Sequence, residues 1–247
     1  MGGHSDIKLI VDGKRVDGRG LYDLRKPLKL SVGVLKNATG SALIHWGGNK
    51  ILVGVYGPKE VLPKHIENPY RGIVRCYYNM STFASIEGHG RSAPSRRSIE
   101  LSEVIGQALE GIIRLDQLPG KAIEVFIIVL QAEGGTRVAS LTAAVAALAD
   151  AGIPLKTMAA GMAVGKADDE IVVDIGKAED NFGQADMPIA ITKDGDILLL
   201  QMDGMMTKEE ITKALDLAYE KMETLFELQR KAIEEKYSKP IKNEIDL

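Results

Sequence analysis

The chain has 247 residues, with 31 Lys+Arg against 34 Asp+Glu and a formal net charge of −3. Hydrophobic residues make up 45% and charged residues 26%, the balance of a globular protein, which excludes global disorder. The slightly acidic balance also excludes a protein that coats nucleic acid by bulk charge, but leaves room for a local basic site.

A lone cysteine, Cys76, excludes an internal disulfide; with only 4 scattered His it also excludes a Cys/His metal cluster. No apolar run is long enough to span a bilayer. The opening residues Met1 to Ser5 lack the basic and apolar regions of a signal peptide. These features set the expectation of a cytoplasmic chain without a membrane partner.

In chain order, residues 28–35, 41–46 and 51–56 alternate or run apolar, with turn residues between them, and read as meander strands. Residues 74–80 read as a fourth strand. A helix is expected over 96–115, with Leu101, Val104, Ile105, Ala108, Leu109 and Ile112 on one face. Residues 122–131 are strongly β-prone. A second helix over 137–151 ends at Gly152 and Pro154. Strands follow over 159–164, 171–174, 187–192 and 197–201, with Asp194-Gly195 as a hairpin turn. A last helix opens on the capping box Thr207 to Glu210, continues to about 237 and stops before Pro240. Strands then helix, twice over, is an α+β order.

Two helix starts carry the wrong charge. A helix N-terminus is partially positive and favours acids. Here Ser95, as N-cap, precedes Arg96 and Arg97, and Gly134-Gly135-Thr136, with Thr136 as N-cap, precedes Arg137. Either the arginines point into water or pair with Glu100 or Glu133, or an anion sits at each terminus. A phosphate would meet free N–H groups, the helix dipole and guanidinium forks together. Two such termini in one chain, one preceded by two glycines, favour phosphate.

Residues 179–186 read as an acidic loop whose ends, Asp180 and Asp186, can fold toward each other. Close carboxylates raise one pKa and make a general acid, or share a divalent metal. An ordinary solvated loop is the alternative. Lys64 and His65, in a segment reaching Arg71 and Arg75, form either a basic loop that guides a nucleic-acid backbone or a plain surface loop. Arg15 to Arg19 alone reads as a solvated turn. Trp46 reads as core packing, and the Met205-Met206 pair as core or interface filler.

Together these motifs resemble the ribonuclease PH family. Arg15-Val16-Asp17-Gly18-Arg19 matches its Arg-x-Asp-Gly-Arg opening. Ser95-Arg96-Arg97, the run from Gln131 to Arg137, and Asp180 with Asp186 match its later motifs in order. The runs Gly33 to Ala42, Val55 to Glu60 and Ala149 to Pro154 look like the archaeal exosome subunits that carry the phosphorolytic site.

The resemblance implies a ribonuclease PH-like α+β fold of two similar βαβ-type halves, of the type of domain 2 of ribosomal protein S5. It implies one domain over 1–247, with an N-terminal extension at 1–14 and a C-terminal helix at 207–237. The implied activity shortens single-stranded RNA from its 3′ end with inorganic phosphate, releases nucleoside diphosphates, and in reverse extends RNA tails. Implied partners are an inactive paralogue, in a six-membered ring of three heterodimers, and RNA-binding cap proteins.

By the same resemblance, Gly135, Thr136, Arg137 and Arg97 cradle phosphate, and Arg96 and Arg97 hold the scissile phosphodiester. Asp180 supplies the leaving-group proton, and Asp186 assists or holds Mg²⁺ with it. Lys64 and His65 form the pore loop, with Arg75 beside them on the RNA path. Glu133 stands where the family more often has Asp, and Pro188 where bacterial polynucleotide phosphorylases have a lysine. Two other readings are a non-catalytic ring subunit that threads RNA and a stand-alone tRNA-trimming phosphorylase.

Overall fold

The computed structural model of the chain describes residues 7–85 and 95–238. In chain order the strands are β1 (Ile10–Val11), β2 (Lys14–Arg15), β3 (Leu28–Val32), β4 (Gly40–Trp46), β5 (Asn49–Glu60) and β6 (Ile73–Met80). Helix α1 (Arg96–Ile112), β7 (Lys121–Gln131) and α2 (Thr136–Asp150) complete the first half. The second half holds β8 (Ala159–Ala167), β9 (Glu170–Val173), α3 (Lys177–Phe182), β10 (Ala185–Thr192), β11 (Ile197–Leu200), β12 (Asp203–Gly204) and α4 (Lys208–Tyr237). The expected α+β order holds, with two differences. The opening segment folds as a β1–β2 hairpin, and the acidic segment is divided between α3 and β10.

The first sheet has the order β3-β4-β5-β7-β6. Its pairings are antiparallel except β6 with β7, which α1 joins as a parallel crossover. The strand over 74–80 is therefore no fourth member of the meander but a sheet edge beyond β7. The second sheet, β11-β10-β8-β9 with β12 added to β10, is antiparallel throughout.

Helix α2 lies between the two sheets, touching β4 and β5 on one side and β8 and β10 on the other. Its sequence explains the position. Ala139, Ala143, Ala144, Ala146 and Ala147 are all buried, so the helix is apolar and small-sided all round and both sheets approach it closely. One core cluster runs from Ile44, Val53 and Ile127 through α2 to Met162, Ile189 and Leu225.

Helix α4 closes the second sheet with a stripe of Ala214, Ala218, Met222, Leu225, Phe226 and Ala232. Buried Gln229 donates from Nε2 to the carbonyls of Thr142 and Ala159, pinning α4 to α2 and β8. The N-terminal segment is also fastened here. Leu9 is buried against Val138, Ala163 and Val172, and the amides of Leu9 and Ile10 donate to Asp168 Oδ2.

The capping box at Thr207 and Glu210 forms as expected: Thr207 Oγ1 accepts from Glu210 N, and Glu210 Oε2 accepts from Thr207 N. Thr207→Ala is expected to cost about 1 kcal/mol of stability. Urea unfolding should show this as a lower midpoint at unchanged slope.

Candidate active site

The site is assembled where two helix N-termini meet the start of β10. The N-terminus of α1 is capped by Ser95, which exchanges hydrogen bonds with Ser98, and its first turn carries Arg96 and Arg97 with no acid. Among the described residues neither arginine has an ion-pair partner. Pro94, just before the cap, lies outside the described residues.

At α2 the structure corrects the expected cap. The N-cap is Gly135, with φ 63, and Gly134 before it has φ 74. Two successive left-handed residues are a conformation only glycine takes without cost, so the Gly-Gly pair shapes the turn. Thr136 is the first helical residue, and its Oγ1 accepts a hydrogen bond from the Tyr78 hydroxyl at 3.0 Å instead of capping. Arg137 pairs with Glu100 Oε1 at 3.3 Å and also donates to Gln201 Oε1, while its buried Nε has no partner. The alternative that these arginines pair with nearby acids thus holds for Arg137 alone, and only for part of its fork.

Asp180 lies on α3 rather than in a loop. Glu179, one residue earlier, explains the helix: its Oε2 accepts the Gly176 N–H at 2.8 Å and its Oε1 accepts from Arg15 Nε at 2.9 Å. Arg15 is therefore no solvated side chain. It is 2% exposed and donates on to the carbonyls of Val173 and Asp174.

The phosphate-loop candidate and α3 touch backbone to backbone. A Cβ on Gly134 would stand 2.8 Å from Gly176 C and 3.0 Å from Lys177 N. The Gly134 turn hangs on Asp174, which is buried and left-handed at φ 58. Its carboxylate accepts from Arg25 N, Nε and Nη2, and from Trp46 Nε1 at 2.9 Å. Arg25 then donates through Nη1 to the carbonyls of Glu133 and Gly134. Asn49 adds a second clamp, accepting from Glu133 N and donating to Gly134 O. Trp46 is core, as expected, and also has this polar role.

The two carboxylates share one electrostatic environment. Burial pushes Asp186 up to about 7, with Asp180 and Asp203 raising it and Arg137 and Arg97 opposing. Asp180 is also raised, chiefly by burial, against the pull of Arg97, Arg25 and Arg137. Asp186 Oδ1 is buried without a hydrogen-bond partner. The structure thus brings Arg97, Gly135, Thr136, Arg137, Asp180 and Asp186 together; Arg96, in the same turn as Arg97, is exposed and does not act on either carboxylate.

It also adds Asp203, which pairs in register with Asp186 across β12 and β10, and Tyr78. Cross-strand register carries no signal in a linear sequence, so neither was legible there.

The other basic residues form a separate group. Lys64, exposed, meets Glu60 and Glu67 at 3.5 and 3.3 Å, and His65 is exposed beside it in a short 3₁₀ turn. Arg75 pairs with Glu124 at 3.3 Å and holds the Leu62 carbonyl. Odd and even residues of β6 face opposite ways, so Arg75 and Tyr78 lie on opposite faces of the sheet.

Asp186 gives a pH prediction with a definite sign. Its folded pKa, about 7, lies above the ordinary carboxylate value, so the folded state binds more protons between the two values. Its contribution to stability is therefore present below pH 4 and lost as pH rises through 7. Asp186→Asn should raise the melting temperature relative to the parent at pH 8 and leave it nearly equal at pH 4. Equal effects at both pH values would refute the assignment.

Among the described residues no helix is long and apolar enough to cross a membrane. Residues 25–154 match the 3′ exoribonuclease family, domain 1, and residues 157–221 match domain 2. The chain is 53% identical to Exosome complex component Rrp41 of Thermococcus kodakarensis over 97% of this chain and 96% of that one. It is 50% identical to the component of the same name from Thermoplasma acidophilum, over 94% and 93% of the two chains. Among solved structures, rice Rrp46 superposes with a TM-score of 0.80 at 24% identity, over 89% of this chain and all of that one. A chain from the Archaeoglobus fulgidus exosome, solved with RNA bound to the active site, gives 0.76 at 25% identity, over 87% and 92%. In sequence and in fold, this chain belongs to the 3′ exoribonuclease family of ribonuclease PH type.

Proposed function

We propose that the chain is the phosphorolytic 3′→5′ exoribonuclease subunit of an archaeal exosome. The observation that carries this reading is that Arg97 and Arg137, at the two helix starts, act electrostatically on both Asp180 and Asp186, while the Gly134 turn packs backbone to backbone against the start of α3. The arginines suit an anionic nucleophile and the carboxylates suit a proton donor. A non-catalytic threading subunit would have no use for that pairing.

In the proposed reaction, inorganic phosphate is held at the N-terminus of α2 and by Arg137, and Arg97 spans it and the scissile phosphodiester. This placement offsets repulsion between two anions and positions the attacking oxygen, which supplies much of the catalysis. Phosphate oxygen forms the new P–O bond, the bond to the 3′-oxygen breaks, and that oxygen takes a proton. Asp180 delivers it from a carboxylate pair that keeps one proton close to neutral pH. The products are a nucleoside diphosphate and an RNA shorter by one nucleotide; the reverse reaction lengthens a tail.

Asp180 and Asp186 would hold Mg²⁺ in their ionised form, Asp186 Oδ1 being an unpartnered buried acceptor. Among the described residues no group of three His, Cys, Asp or Glu offers an all-protein cage. When bound, Mg²⁺ would neutralise phosphate charge.

Lys64, His65 and Arg75 belong on the RNA path outside this site, with Arg96 at its rim. The proposal includes a hexameric ring with an inactive paralogue, RNA-binding cap proteins on one face, a cytoplasmic location, and one catalytic domain spanning the chain.

With the ring assembled, RNA shortening should require phosphate and yield diphosphates on chromatography. Asp180→Asn should lower the rate on the order of 10²- to 10⁴-fold while RNA binding persists. Nucleoside monophosphates as products, or an unaltered Asp180→Asn rate, would contradict the proposal.

A further inference from the structure

Tyr78 is joined by hydrogen bonds to both arginine-bearing helices. It is 3% exposed, near the end of the edge strand β6. Its backbone N–H donates to Ser102 Oγ on α1 at 2.8 Å, and its hydroxyl donates to Thr136 Oγ1 on α2 at 3.0 Å. Arg97 and Arg137 both act electrostatically on that hydroxyl. Burial pushes its pKa above the ordinary tyrosine value, so it keeps its proton and remains a donor.

A threonine hydroxyl has one hydrogen to give and can accept in return. Once Oγ1 accepts from Tyr78, its own hydrogen cannot return to the same partner. Among the described residues no protein acceptor takes that hydrogen. An anion held at the start of α2 would be an acceptor for it. Donation from Tyr78 also polarises Thr136 and strengthens the bond it gives in turn.

We propose that Tyr78 is a positioning residue for inorganic phosphate: by donating to Thr136 Oγ1 it commits the Thr136 hydroxyl hydrogen to the bound anion. The inference rests on the reading of Thr136 as part of the phosphate cradle. Tyr78 touches neither substrate and acts through one oxygen only. Its effect therefore falls on phosphate and not on RNA.

The test uses the full chain assembled with its ring partner and follows phosphorolysis of a single-stranded RNA at varied phosphate and varied RNA. Tyr78→Phe removes one oxygen and no carbon. It should raise the KM for phosphate about three- to tenfold, the size of one lost hydrogen bond. The KM for RNA and the kcat at saturating phosphate should stay within about twofold. Thr136→Val should raise the phosphate KM as well, and adding Tyr78→Phe to it should do nothing more. Thr136→Ser, which keeps the hydroxyl, should keep the dependence on Tyr78.

As a variant that preserves the ring hydroxyl, 3-fluorotyrosine at position 78 strengthens the donor and should lower the phosphate KM. The inference is overturned if Thr136→Val raises the phosphate KM and Tyr78→Phe does not, if the two effects multiply, or if the fluorinated residue leaves the KM unchanged or raises it. If Thr136→Val itself leaves the phosphate KM unchanged, the cradle reading fails instead, and the two failures are distinguishable.

Discussion

The buried carboxylate of Asp174 is the interaction on which the site depends. It gathers the backbone and guanidinium of Arg25, the indole of Trp46 and, at 3.6 Å, Arg19, which brings parts of the first sheet and the N-terminal segment to the end of β9. A buried carboxylate is tolerated only when its lone pairs are met this fully, and removing one partner of such a pair typically costs about 3–5 kcal/mol. That penalty holds Arg25 in one orientation. Arg25 in turn holds the carbonyls on either side of the Gly134 turn. The neighbouring pair Arg15 and Glu179 does the same for α3, the short helix that carries Asp180. Neither six-residue α3 nor a turn of two left-handed glycines is stable by itself. Each is fixed by a buried ion pair that also reaches the other half of the fold.

The chemistry then follows from placement. An anion cradle must be positive and an acid must hold a proton near neutrality, and these demands conflict when the groups are close. Arg97 and Arg137 pull the carboxylates toward ionisation, while burial and mutual repulsion among Asp180, Asp186 and Asp203 push the other way. Repulsion and burial win at Asp186. The net charge of −3 is consistent with this arrangement, because the useful positive charge is concentrated at two helix termini and need not colour the surface.

Much of the fold was legible in the sequence because its elements are strongly periodic. The core face of α1, the turns of the meander and the capping box at Thr207 came out close to their observed places. The misses have specific causes. α3 is one and a half turns long, too short for a period, and exists because Glu179 is held at both oxygens. Arg15 looked solvated because its partner lies 164 residues away in sequence. Thr136 looked like an N-cap because its residue type favours that position; the left-handed Gly135 takes it and frees the hydroxyl for Tyr78. In the site, the arginines and aspartates were legible as motifs. Their supports (Arg25, Asn49, Asp174 and Tyr78) were not, because a support is defined by what it touches.

One buried frame, Asp174 with Arg25 beside Arg15 with Glu179, sets both the proposed phosphate cradle and the acid-bearing helix. The most direct measurement is made on Asp174→Asn, in assembled enzyme that keeps a cooperative melting transition. Phosphate affinity and the single-turnover rate of RNA phosphorolysis are both recorded. The two should fall together, because Asn cannot hold the Arg25 fork as the carboxylate does and the Gly134 turn that Arg25 holds packs backbone to backbone against the start of α3. A variant that melts earlier but binds phosphate and cleaves at the parent's rate would contradict this dependence.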